Sequence, residues 1–181
     1  IGLVGSEMCI RDSPIFRTRI NHWKVKIKLL ILDVDGTMTN GQIHVSAQGE
    51  LFKSFNAKDG HGIRSAMQKG VEVAIISTSN SRDIIGARMH MLGISRWYAG
   101  PQDKLEVLRS WMQELDVEKE SIAFIGDDLN DRTIMEYIGL AACPQDAVEE
   151  IKLLADVVLS KKGGEGCVRE FIDRFILSTK D

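Results

Sequence analysis

Cysteine is scarce in this 181-residue chain, and Cys9, Cys143 and Cys167 are odd in number, far apart and in no CxxC pair. They signal neither a disulfide framework nor a zinc knuckle, and a reducing cytoplasm suits them. Long apolar runs are missing too. Nothing approaches the ~18 uninterrupted apolar residues of a membrane helix, and no basic-then-apolar secretion pattern is present. Positive charge is not in excess: 23 Lys and Arg against 26 Asp and Glu leave a formal charge of −3, without the broad basic field that duplex nucleic acid requires. The expectation is a cytoplasmic protein with neither membrane nor nucleic acid as partner. What the chain does have is 44% apolar residues, enough at this length for one sizeable core.

Residues 1–13, IGLVGSEMCIRDS, show neither a helical period nor a cap and resemble vector-derived sequence. The expectation is a non-native or disordered tail over 1–23 and a single domain over 24–181. From Lys24 onward, short apolar runs alternate with helical stretches, the pattern of βαβ units and a parallel sheet. Leu29-Leu30-Ile31-Leu32 is apolar on both faces and reads as a central strand covered from each side. Two polar-apolar alternations, at 43–45 and 51–55, flank Ser46-Ala47-Gln48-Gly49 and predict a β-hairpin projecting from the sheet. Helices are expected at 59–69, 82–92, 102–115, 131–137, 147–154 and 168–177, with strands at 71–76, 97–98, 122–125 and 157–159. The fold class is α/β: a doubly wound, Rossmann-like parallel sheet.

Four polar signals fall just after expected strands: Asp33-Val34-Asp35-Gly36-Thr37, Ser77, Lys104, and Gly126-Asp127-Asp128-Leu129-Asn130-Asp131. In an open α/β sheet that edge binds ligands. Gly36 lets the chain turn so that Asp33, Asp35 and several backbone N–H groups converge where a phosphate oxygen fits. Gathering Asp33, Asp35 and Asp127 needs a cation, because like charges roughly 4 Å apart repel by about 4 kcal/mol even at an effective dielectric of about 20. All-oxygen ligands with no His or Cys nearby point to Mg²⁺. Lys104 would set a fixed positive charge against a phosphoryl group, and the Ser77 hydroxyl would add a hydrogen bond. His44, His61 and His90 share no spacing and read as non-catalytic.

The ordered set DVDGT, Ser77, Lys104 and GDDLND resembles the haloacid dehalogenase-like phosphatases from Lys28 to about Phe175. FNAKDGHGIR at 55–64 and GGEGCVRE at 163–170 look like the small capless branch that acts on sugar-acid phosphates. The resemblance implies a haloacid dehalogenase-like sheet with no cap domain, whose hairpin at 42–55 joins its symmetry mates in a homotetramer. It implies that Asp33 attacks phosphorus, that Asp35 protonates the leaving alcohol and then activates water, and that Asp33, the Asp35 carbonyl and Asp127 hold Mg²⁺. Substrate contacts would come from Asn56, Ala57, Lys58, Asp59, Gly60, Arg64, Arg88, Lys104 and Asp128, with Arg169 in a tail that reaches an adjacent site. One departure stands out. The family often has Gly-Arg after its second-motif hydroxyl, whereas Thr78-Ser79 follow Ser77 here and the segment to Leu92 is one residue longer; Arg82 is the candidate replacement.

The leading expectation is hydrolysis of an eight-carbon ulosonate 8-phosphate. A nine-carbon ulosonate 9-phosphate remains open, as does a non-catalytic assembly or regulatory domain of the same fold. A phospho-receiver domain is also conceivable, but receivers place their acid pair and phosphorylated Asp on different strands.

Overall fold

The structure, a computed structural model, describes residues 26–178, so the tail expected over 1–23 lies outside the described residues. Leu29–Leu32 form β1, with all four side chains fully buried. Burying each of them contributes about 1.5–3 kcal/mol, and that load makes this strand the centre of the molecule.

The hairpin follows as β2 (His44–Ser46) and β3 (Gly49–Phe52), paired antiparallel. Then come α1 (Ala57–Gln68), β4 (Glu72–Ser77), α2 (Arg82–Leu92), β5 (Arg96–Ala99) and α3 (Lys104–Leu115). The chain continues through β6 (Ile122–Ile125), α4 (Arg132–Tyr137), β7 (Leu140–Cys143), α5 (Glu149–Leu154), β8 (Val157–Val158) and α6 (Cys167–Ile172). Six strands form one parallel sheet in the order β5-β4-β1-β6-β7-β8.

Alternate residues of each strand serve opposite faces. Leu30, Leu32, Val73 and Ile75 pack with α1, α2 and α6, while Leu29, Ile31, Ala74, Ile76 and Phe124 pack with α3, α4 and α5. This is the doubly wound architecture, and the chain reverses its direction of travel across the sheet beside β1. The carboxyl ends of β1, β4 and β6 therefore open onto one crevice.

Several boundaries differ from expectation. β7 was not anticipated: Leu-Ala-Ala-Cys has little intrinsic strand preference and is a strand because β6 and β8 flank it in the buried sheet. α1 starts two residues early because Asn56 caps it, its Oδ1 accepting from the Lys58 N–H at 2.8 Å. The hairpin turn is shorter than expected, with Ala47 and Gln48 alone between the strands.

Candidate active site

Asp33 directly follows β1, and its N–H donates to the Ile125 carbonyl of β6 at 2.9 Å. The next residues turn sharply through Gly36, whose φ of +94° suits glycine. A Cβ there would also lie 2.0 Å from Asp127 Oδ2, so a side chain is excluded on two grounds. From the other side Gly163 supports this turn, its own Cβ position falling 1.7 Å from the Gly36 carbonyl oxygen, and the Gly164 N–H donates to the Thr37 carbonyl at 3.0 Å. The GGEG segment is thus a platform beneath the first acidic loop.

Asp33, Asp127 and Asp131 bring carboxylate oxygens within 4.8 Å of one another. Lys104, fully buried at the start of α3, donates to Asp33 Oδ1 at 2.6 Å and to Asp131 Oδ1 at 2.5 Å. Thr37 Oγ1 donates to Asp127 Oδ1 at 3.0 Å. One ammonium among three carboxylates leaves the cluster short of positive charge. Burial pushes the Asp33 carboxyl up to about 7 against the pull of Lys104. Burial and then the charges of Asp33 and Asp131 take Asp127 up to about 8. Burial disfavours the Lys104 charge, but Asp33 and Asp131 outweigh it and hold the ammonium above the ordinary lysine range.

Ser77, at the end of β4, is buried, and its Oγ accepts from the Ser79 N–H at 3.1 Å. Asp35 stands apart from the acidic cluster. Its Oδ1 accepts from Lys53 Nζ at 2.6 Å, so its carboxylate does not join those of Asp33 and Asp127 as the sequence reading expected. Asp131 takes that third place. Its Oδ2 also accepts from the Asp127 N–H at 2.9 Å, which gives it a reason to be buried. The i, i+4 spacing from Asp127 was the available sequence signal. Lys53 and its other acceptor, Glu50, were likewise missed, since a lysine in an alternating strand reads as a solvated face.

The expected substrate contacts divide. Ala57, Lys58 and Asp128 are exposed, and Asp128 caps the turn at Leu129–Asp131. Asn56 caps α1 and donates from Nδ2 to the Gly164 carbonyl at 3.0 Å. Asp59 is buried, its Oδ1 accepting from the Arg169 N–H in the first turn of α6 at 2.7 Å, and burial pushes its carboxyl up to about 6. A Cβ on Gly60 would come 2.7 Å from Arg88 Nη2, and the Arg88 guanidinium lies over the Phe55 ring. Arg64 Nη2 donates to the Met91 carbonyl at 2.8 Å. Arg169 belongs to α6 rather than to a free tail, and its Nε pairs with Asp173. Arg82, the candidate replacement for the missing arginine, donates to the Ala99 carbonyl at 2.7 Å and lies over Trp97.

A family model described as haloacid dehalogenase-like hydrolase matches residues 92–172. The 3-deoxy-D-manno-octulosonate 8-phosphate phosphatase KdsC of Escherichia coli K12 is 40% identical over 152 residues, 84% of this chain and 80% of that protein. Its Yersinia pestis counterpart is also 40% identical, over 84% of this chain and 81% of that protein. The cobalt-bound deoxy-D-mannose-octulosonate 8-phosphate phosphatase of Haemophilus influenzae matches the fold with a TM-score of 0.81 at 37% identity, covering 84% of this chain and 88% of that one. The Moraxella catarrhalis 3-deoxy-D-manno-octulosonate 8-phosphate phosphatase, solved with a magnesium ion, a phosphate ion and KDO, matches at 0.78 and 31% identity, covering 93% and 92%. With the acidic motifs at the same sheet edge and identity of this extent, the chain belongs to the haloacid dehalogenase-like hydrolases, in the family of the 3-deoxy-D-manno-octulosonate 8-phosphate phosphatases.

Proposed function

We propose that this enzyme hydrolyses 3-deoxy-D-manno-octulosonate 8-phosphate to the free sugar acid and inorganic phosphate. The observation that carries the chemistry is a buried Asp33 carboxylate, gripped by Lys104 and set against Asp127 and Asp131 at the carboxyl edge of the sheet. An oxygen of Asp33 attacks phosphorus to form an aspartyl-phosphate, and Asp35 protonates the departing alcohol oxygen. Asp35 then takes a proton from the water that cleaves the aspartyl-phosphate. Lys104 and the Ser77 hydroxyl bind the phosphoryl oxygens.

The donor set fits Mg²⁺: the carboxylates are hard oxygen ligands, and burial beside one another raises their affinity for protons, a cost that a cation would offset. Asp33, the Asp35 carbonyl and Asp127 would hold it, with Asp131 behind them. Bound there, it neutralises phosphoryl charge.

Among the proposed substrate residues, Lys58, Arg64, Arg88 and Asp128 are direct contacts. Asn56, Ala57, Asp59 and Gly60 shape the surface that presents them, and Arg169 serves a neighbouring subunit's site. Lys58, Arg64 and Arg88 together suit a substrate with a carboxylate at its far end, which a neutral sugar phosphate lacks. The reading includes a cytoplasmic homotetramer, in which neighbours stand over the open edge.

Phosphate release with Mg²⁺ should favour octulosonate 8-phosphate over hexose 6-phosphates by at least about tenfold in kcat/KM. Equal rates would reduce the enzyme to a general small-molecule phosphatase. A higher kcat/KM on a nine-carbon ulosonate 9-phosphate would reassign its substrate.

A further inference from the structure

A chain of polar groups ties the hairpin to the first acidic loop, and the chemistry above leaves it unused. Lys53, one residue beyond β3, has a side chain only 2% exposed. It donates to Asp35 Oδ1 at 2.6 Å and to Glu50 Oε1 at 2.9 Å. Glu50 Oε2 in turn accepts from Ser81 Oγ, at the residue that precedes α2. The chain therefore runs from the loop after β1, through the hairpin, to the loop after β4, which departs from the family pattern. An ammonium so buried is stable only while its carboxylate partners stay in place, so each member constrains the next. An apolar contact would have anchored a hairpin without burying charge.

Asp35 keeps 29% of its side chain exposed, and among the described residues no hydrogen bond engages its Oδ2. We propose, building on the phosphatase reading, that Lys53 is a positioning residue: it holds Asp35 by Oδ1 so that Oδ2 faces the oxygen of the leaving alcohol. Glu50 and Ser81 fix Lys53 in turn. In the step served, an Asp33 oxygen bonds to phosphorus and the bond from phosphorus to the alcohol oxygen breaks. The electron pair stays on that oxygen, and the proton on Asp35 Oδ2 moves to it. Lys53 gives up no proton and faces the carboxylate left behind.

Leaving-group chemistry tests this role. A p-nitrophenolate leaves without a proton, whereas a sugar alkoxide needs one, and kcat/KM ends at departure of the alcohol, before aspartyl-phosphate hydrolysis. Lys53→Met should lower kcat/KM for the sugar-acid phosphate or a hexose 6-phosphate by about a hundredfold, and for p-nitrophenyl phosphate by about fivefold or less. Glu50→Gln should act in the same direction, by about tenfold on the alkyl ester. It carries the test if circular dichroism shows Lys53→Met unfolded. Equal losses on both esters, or no loss on the alkyl ester, would overturn the positioning role while the phosphatase reading stands. A wild-type enzyme that released phosphate from neither ester would overturn the phosphatase reading, and this inference with it.

Discussion

Replacing Asp33 by Asn removes the proposed nucleophile and leaves an oxygen that can still accept from Lys104 Nζ. Activity should fall by at least about a thousandfold, while the metal-free melting temperature at pH 8 should not fall. A tenth of wild-type activity remaining would contradict Asp33 as the attacking group. The same cluster sets a pH dependence. Asp33 and Asp127 hold their protons up to about 7 and about 8 in the folded chain, above an unfolded carboxyl, so the stability they contribute is present at low pH and lost as pH rises through those values. A cation replaces those protons, so Mg²⁺ should bind at least about tenfold tighter at pH 8 than at pH 6 by calorimetry. Equal affinity at the two pH values would contradict this account. Asp33, Asp127 and Lys104 were legible because each lies at or within two residues of the end of an element whose apolar pattern is unmistakable. Asp131 and Lys53 were not, because beside local partners each takes a distant one, Lys104 and Asp35, 27 and 18 residues away, that becomes a neighbour only once the sheet and hairpin have formed.

At the scale of elements, local apolar pattern placed β1, β6 and α2 with their observed bounds, since burial demanded by their own residues decides their conformation. β7 and the shared end of α1 and α6 depend on neighbours and were not visible. Asp59 shows why: from within α1 it accepts from the Arg169 N–H and so caps α6, a partnership that no local pattern announces. Asp59→Ala would leave that N–H without its acceptor and should destabilise the Mg²⁺-bound protein by about 1–3 kcal/mol in urea unfolding. Asp59→Asn keeps an acceptor and should cost less than half as much. The raised Asp59 carboxyl, at about 6, adds a stabilising increment below pH 4 that is lost as pH rises through 6, and the Asn variant should lack it. Equal destabilisation by Ala and Asn would mean that the site responds to charge rather than to the cap.

At the scale of the molecule, an open crevice and an exposed ribbon pose one problem together. Ile43, Val45, Leu51 and Phe52 are 63%, 67%, 60% and 49% exposed on β2, β3 and the residue before them, although a two-stranded ribbon alone is marginal in water. Large apolar side chains exposed in this way suit a contact surface. The ribbon also carries Glu50 and leads into Lys53, so whatever covers it steadies the groups attached to Asp35. A second copy presents the same patch, and closed symmetry lets identical ribbons pair without leaving an edge. Light scattering at micromolar protein should give four times the 20.2 kDa chain mass. The double variant Val45→Asp and Leu51→Asp should give smaller species that keep the helical circular dichroism signal and lose at least about tenfold in kcat/KM on the sugar-acid phosphate. A wild-type monomer with full activity would sink the assembly and, with it, the idea that neighbouring subunits complete the site.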